Sequence, residues 1–270
     1  MMHRGLYAAA SAMITQESMH DVVANNLANA ATSGFRKRIP VNKSFPEVLM
    51  DRIEKVSEDG EIKLVGPPFQ LGLKGKFTIG DISLADVISE TWMSTEMGAI
   101  QVTDNPLDVA IVGEGYFAVQ DGAGNTYYTR SGHFQKNDEG QLVTEDGMLV
   151  LGDGGPIEVG DASRFSITEN GNVMADGALV DMLQVVEFEN PTYLRQVGRT
   201  SLSVTPHSGE PVPIEEPRLE PGALEMSNVN VVEEMVRMVE AHRAYESASK
   251  VLMTHDEITG KLITSYGRTS

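Results

Sequence analysis

From Asn230 to Ser265 the chain reads NVVEEMVRMVEAHRAYESASKVLMTHDEITGKLITS, about 35 residues without a proline and with apolar side chains at helical spacing. A helix of that length extends roughly 50 Å, well beyond the width of a small domain. No core of ordinary size covers the stripe made by Val232, Met235, Val236, Val239, Tyr245, Ala248, Leu252, Ile258, Leu262 and Ile263. A long, amphipathic helix at one end of a chain reads as half of a coiled coil. Asn230 is placed to cap its first turn, and Glu233, three residues on, completes a capping-box pattern. Glu233 and Glu234 also suit the positive end of the helix dipole.

The other end of the chain offers a partner. Residues 5–30 read as a helix of roughly 37 Å, with Leu6, Ala9, Ala10, Met13, Ile14, Val22, Val23 and Leu27 on one narrow side. Its apolar residues are small, and Gln16, Glu17, His20 and Asp21 interrupt them, so it too needs a neighbour.

Between the helices the texture changes. Half of the 26 glycines lie between Gly113 and Gly177. They punctuate the short β-type runs 107–112, 116–119, 126–129, 132–135, 141–144, 148–151, 165–168 and 183–188. Turn clusters such as DGAGN (121–125), KNDEG (136–140), EDG (145–147), DGG (153–155) and ENG (169–171) separate them. The expected fold class is mixed: terminal α-helices paired as a coiled coil, a central all-β sandwich or irregular barrel, and extended linkers. The expected divisions are an N-terminal assembly helix (1–35), an extended connector arm (36–106), a β domain (107–215), a Pro-containing connector (216–227) and a C-terminal assembly helix (228–270). Prolines from Pro206 to Pro221 suit a connector rather than a central strand. Pro67-Pro68 with Gly66, Gly72 and Gly75 predicts an extended arm, and Phe77 to Met97 short strands.

Charge and composition narrow the function. A formal charge of −18 argues against nucleic acid, whose phosphates need clustered cations. The one basic cluster, Arg36, Lys37, Arg38 and Lys43, reads as a solvated connector. The absence of cysteine excludes disulfides, thiolate chemistry and Cys-ligated metal. No run of 18 apolar residues exists, so no transmembrane segment is expected. The N-terminus lacks a continuous apolar stretch, so no conventional signal peptide is expected either.

The catalytic motifs are near misses. DVAIVGEGYFA (108–118) satisfies G-x-G-x-x-A with Gly113, Gly115 and Ala118, but the residues that follow are strand-like. Dinucleotide binding requires a helix to begin there, so that its free amides hold the pyrophosphate. The glycines therefore read as turn or bulge positions. SASK (247–250) falls deep in a helix without its companion motifs. The six histidines are scattered, with no H-x-x-x-H pair for a metal. His242 and Glu246 read as a surface pair one helical turn apart. No cofactor, metal or enzymatic activity is expected.

Three segments do match a pattern. ANNLANAATSGFR (24–36) carries A-N-N-L-A-N-x-x-T-x-G-F/Y-K/R. The run from Pro106 to Gly152 and GALEMSNVNVVEEMVRMVEAHRAYESASKVL (222–252), with its S-N-V-N and R-A-Y-E elements, follow in order. The chain resembles the bacterial flagellar rod and hook proteins. Within that family it is most similar to the mid-size rod subunits: first the one at the proximal–distal rod junction, with the distal rod subunit as the alternative.

The resemblance implies a structural subunit that polymerises with itself and with other rod and hook proteins through its terminal helices. It also implies passage through the flagellar type III export apparatus and a place in the basal-body rod, where torque passes from motor to hook. The signature residues then face neighbouring subunits: Asn25, Asn26, Leu27, Asn29, Thr32, Gly34 and Phe35 from the first segment, and Ser227, Asn228, Asn230, Val232, Met235, Val239, Arg243 and Tyr245 from the last. Three asparagines at a helix end, where one cap would do, are expected to bond across subunits among small alanines; the competing reading is local capping toward solvent. Gly34 is expected to end the helix in a left-handed conformation and Phe35 to anchor the connector. Isolated amphipathic helices are marginal in water, so both termini are expected to order on assembly. The rival reading is a β-rich extracytoplasmic binding or adhesin module with helical stalks, using Tyr116, Phe117, Tyr127 and Tyr128.

Overall fold

Alanine and unbranched side chains dominate the first turns of the chain and favour helix. The first helix, α1, runs Met2–Ala28 in the computed structural model, which describes residues 2–44, 47–53, 76–83, 86–160, 162 and 164–266. It stops just before the third asparagine: Asn29 N bonds the carbonyls of Asn25 and Asn26, and Thr32 N bonds Asn29 O in the turns that follow. The second helix, α2, runs Val231–Tyr266. Asn230 Oδ1 accepts from the amides of Val232 (3.1 Å) and Glu233 (3.3 Å), the expected N-cap. Glu233 carries its carboxylate to Arg237 at 2.6 Å.

The chain divides into two compact units. One comprises Met1–Met19, Val41–Glu90 and Glu240–Ser270. Within it, strand Glu47–Ile53 pairs antiparallel with Lys76–Ser83, with a bulge between Met50 and Asp51. Gly5 of α1 faces the imidazole of His255 of α2, which stands 2.8 Å from where a β-carbon would sit. The stretch of Gly66, Pro67, Pro68, Gly72 and Gly75 lies outside the described residues. The segment read as a connector also holds strand Arg38–Ser44 paired with Asp86–Met93, so it is a ribbon along part of its length.

The other unit comprises His20–Pro40 and Thr91–Val239 and holds the β domain. Each of the eight β-type runs overlaps a strand, and the turn glycines Gly124, Gly140, Gly147, Gly155 and Gly171 all take positive φ. A ten-stranded antiparallel sheet runs in the order Arg195–Gln196, Ser201–Ser203, Thr126–Thr129, Tyr116–Gln120, Leu149–Gly152, Leu142–Thr144, Phe134–Lys136. Val185–Glu187 also pairs with Tyr116–Gln120 and carries Val212–Pro213, and Gly155–Pro156 extends Leu149–Gly152. Among the described residues this sheet is open, so the irregular-barrel form of the expectation gives way to packed sheets. A second, three-stranded sheet joins Phe165–Ile167, Asn172–Ala175 and Ala178–Met182.

Side chains alternate across the sheet, and here both faces are covered. Phe117 and Val119 join one core with Val109, Ile111, Phe134, Leu142 and Val150. Tyr116, Ala118 and Tyr128 join the other with Phe188, Leu194 and Leu202. Edge-to-face ring pairs stitch each side: Phe117–Phe134 at 5.2 Å and Tyr128–Phe188 at 4.9 Å between centroids. The aromatics considered for a ligand groove are therefore mostly core, with Tyr116, Phe117 and Tyr128 buried and Tyr127 partly so.

The Pro-containing connector is more structured than its composition suggests. Leu219–Pro221 pairs with Val109–Ile111, and Ala223–Glu225 pairs with Ile100–Val102. Proline is tolerated because each of these strands is short and lies in a two-stranded ribbon, with Pro221 at a strand end.

Candidate assembly site

The residues that follow α1 enter the β unit at once. Gly34 has φ +68°, and a β-carbon there would lie 2.2 Å from Ser131 N, so the chain passes too close to the 130–131 backbone for any side chain. Its amide donates to Glu225 O at 2.8 Å. The left-handed turn is therefore real, but it stands six residues past the helix end, where it docks the connector. Phe35 is 1% exposed, an anchor as expected.

Arg36 then meets a buried carboxylate. Its Nη2 lies 2.9 Å from Glu225 Oε1, and Arg130 Nε lies 2.5 Å from Glu225 Oε2. Arg130 fans its remaining donors onto the carbonyls of Ile111 (3.0 Å), Gly113 and Gly115. The glycines of the rejected dinucleotide motif thus serve a cation: positive φ at Gly113 and Gly115 bends the loop so that its carbonyls converge on one guanidinium. Gly98 N also donates to Glu225 Oε1 at 2.9 Å. Burial pulls the Arg36 guanidinium below its ordinary range; Glu225 opposes that shift and Arg130 adds to it. Buried ions persist only when paired and hydrogen-bonded, and this triad joins the N-terminal signature, the β domain and the C-terminal signature.

A second buried carboxylate lies next in sequence. Glu234, in the first turn of α2, is fully buried and takes Lys37 Nζ at 3.0 Å and Asn26 Nδ2 at 3.1 Å. Asn26 also brackets Arg38, donating to its carbonyl and accepting from its amide, each at 2.9 Å. Asn228 Oδ1 accepts from Lys37 N at 2.7 Å while its Nδ2 donates to Glu96 O at 2.8 Å. Arg38 Nε donates to Gln196 Oε1 at 2.6 Å. Arg36, Lys37 and Arg38 of the basic cluster are accordingly not a solvated connector. Arg36 and Lys37 are paired inside the unit because the two acids of the C-terminal signature come to meet them.

The signature residues separate into two groups. Asn26, Gly34, Phe35 and Asn228 turn inward and bind their own chain. Asn29 and Thr32 cap locally: Asn29 Nδ2 donates to Asn25 O at 2.9 Å, and Thr32 Oγ1 donates to Asn29 Oδ1 at 3.4 Å. Ser227 Oγ accepts from Val229 N at 3.3 Å, and Leu27 is half-buried. Outward lie Asn25 and, on α2, Val232, Met235 and Val239. In the other unit Arg243 and Tyr245 of α2 are also exposed. Val232, Met235, Val236 and Val239 are 70, 51, 53 and 51% exposed, an apolar i, i+3, i+4, i+7 stripe with one open side.

Arg130, Glu225, Lys37 and Glu234 pair in the interior and are not among the site residues expected from the sequence, where Lys37 reads as part of a solvated cluster and Glu234 as a helix-dipole partner. One signal was available: Ala223 and Glu225 share the period-2 face of a strand, which places an acid on the inward side.

Among the described residues no helix is long and apolar enough to cross a membrane, and no group of three or more His, Cys, Asp or Glu is arranged to hold a metal. Comparison with known proteins matches three family descriptions in chain order. The flagella basal body rod protein family matches residues 6–36, the flagellar hook protein FlgE/F/G D1 domain 110–175, and the flagellar basal body rod FlgEFG protein C-terminal family 220–265. Flagellar basal-body rod protein FlgG of Bacillus subtilis is 35% identical, covering 97% of this chain and 98% of its own. The FlgG of Caulobacter vibrioides is 34% identical, over 94% of this chain and 96% of its own. Flagellar hook-basal body complex protein FlhO of Bacillus subtilis is 28% identical over 99% of this chain and all of its own. With likeness of this degree along nearly the whole of each relative, the chain belongs to the flagellar basal-body rod protein family.

Proposed function

We propose that this chain is a structural axial subunit of the flagellar rod, built into the basal body by packing α1 and α2 against neighbouring copies and against other rod and hook proteins. The observation that carries the reading is the open stripe of Val232, Met235, Val236 and Val239 on the first two turns of α2. Apolar side chains at that spacing, in a helix whose other side is buried, fit a second helix. The buried positions of α2 support pairing with α1 as well: Glu234, Ala241 and Ala248 recur every seventh residue, the coiled-coil repeat. The outward asparagine, Asn25, with Arg243 and Tyr245, supplies polar and aromatic contacts to the same neighbours.

In this reading the chain is a structural part and catalyses nothing. The subunit passes the type III export apparatus, and the assembled rod carries torque across the periplasm. The helices beyond the buried junction complete their order on assembly, since long amphipathic helices are marginal until packed.

Amide exchange on the full chain, dilute and then concentrated, tests this alongside electron microscopy of the concentrated sample. The expected result is tubular or filamentous assemblies in which 1–28 and 240–266 gain protection while 109–150 is protected throughout. A chain that stays monomeric at every concentration, with both helices already protected, overturns it.

A further inference from the structure

The first two turns of α2 have two opposed faces. At about 100° per residue, Val232, Met235, Val236 and Val239 lie on the side of the helix away from Glu234. Glu234 is fully buried while those four are more than half exposed. Whatever holds Glu234 therefore sets the rotation of the helix about its own axis, and with it the direction in which the open stripe points.

Three groups hold it. Lys37 Nζ approaches Oε1 at 3.0 Å, Asn26 Nδ2 approaches Oε2 at 3.1 Å, and Arg237 Nη1 approaches Oε1 at 3.4 Å. Lys37 and Asn26 are not free to follow the helix if it turns. Lys37 is pinned through its amide to Asn228 Oδ1, and Ser94 N donates to its carbonyl at 2.9 Å. Asn26 is pinned by both bonds to the Arg38 backbone. A carboxylate fixed from two sides by anchored donors has one orientation that satisfies all of them, and a buried acid that loses a donor has strong reason to move.

We propose that Asn26, Lys37 and Glu234 form a latch that positions the assembly face of α2, so that residues making no contact with a neighbouring subunit control assembly. The inference rests on the reading of α2 as an assembly helix. It assigns the buried amide of Asn26 to orientation within its own chain, while the contacts with neighbours fall to the exposed stripe. A latch of this kind acts before any partner arrives: it presents one face and withholds the rest.

Asn26→Asp tests it, because the carboxylate removes the donor shared by Glu234 and the Arg38 carbonyl and sets two anions together. Sedimentation across a concentration series measures the threshold for assembly, and amide exchange on the dilute chain measures local order. The expected result is a threshold raised by about tenfold or more, equivalent to about 1.4 kcal/mol per tenfold, with faster exchange confined to 231–239 and 109–150 unchanged. Adding Glu234→Gln to that variant exchanges donor and acceptor across the contact and is expected to return part of the loss, since the Lys37 ion pair and the donor to the Arg38 carbonyl are not restored. Lys37→Gln, which leaves the Asn26 bonds in place, gives a smaller loss in the same direction. An Asn26→Asp chain that assembles at the wild-type threshold overturns the latch, and so does a double variant no better than the single one. Val232→Asp separates the latch from the reading beneath it: with exchange at 231–239 unchanged, assembly at the wild-type threshold means that the stripe is not an interface.

Discussion

The strand Tyr116–Gln120 and the first two turns of α2 carry a similar density of apolar side chains, and the chain treats them in opposite ways. Tyr116, Phe117, Ala118 and Val119 are at most 6% exposed, because sheet neighbours and two cores cover both faces. On α2 only the Glu234 side is covered, and Val232, Met235, Val236 and Val239 stay in water. The first region is finished by its own chain; the second is left open on one side. A run buried on both faces contributes to folding, whereas a stripe buried on one side holds its apolar surface in reserve for association.

That contrast can be broken at four points, in falling order of expected effect on the monomer. Glu225→Ala leaves two buried guanidiniums without their shared anion; loss of about 3–5 kcal/mol is expected, read as a lower urea midpoint. Phe117→Ala opens a cavity between the sheet and Phe134 and is expected to lower stability by about 3 kcal/mol or more in the same assay. Asn230→Ala removes the N-cap of α2 and is expected to lower its stability by about 1 kcal/mol, visible as faster amide exchange in its first turn. Val236→Ser is expected to change monomer stability by no more than about 0.5 kcal/mol while weakening assembly in sedimentation. A large destabilisation by Val236→Ser would show that the stripe is packed within the chain, and the contrast would collapse.

The sequence announces its helices and turns more plainly than its joints. Periodicity locates both α1 and α2, and Gly and Asp clusters locate the turns, because these are local properties. The hairpin Asn172–Met182 lies outside the reading, although Asp176-Gly177, both at positive φ, is a short-hairpin signal present in the sequence. The strands at 219–225 are hidden for another reason. They pair with 100–111, and proline at their ends disguises them.

The joint itself is the least legible. Arg130 and Glu225 carry charges that composition assigns to the surface, and only their meeting in space makes burial tolerable. The asparagines at the end of α1 divide by direction. Asn25 faces out, Asn29 caps, and Asn26 reaches a residue 208 positions away, which no local rule contains.

That separation has a consequence for the newborn chain. A ribosome adding about 5–20 residues per second needs roughly 10–40 s to travel from Asn26 to its partner Glu234, 208 residues on. Arg36 lacks Glu225 through most of that interval, and for roughly half of it the edge of Val109–Ile111 lacks Leu219–Pro221 and Arg130 lacks Glu225. The half-made protein is an open sheet edge with unanswered cations, the kind of surface that sticks to its own copies. The excess of acid along the chain, a net −18 when complete, opposes such contacts between copies by mutual repulsion.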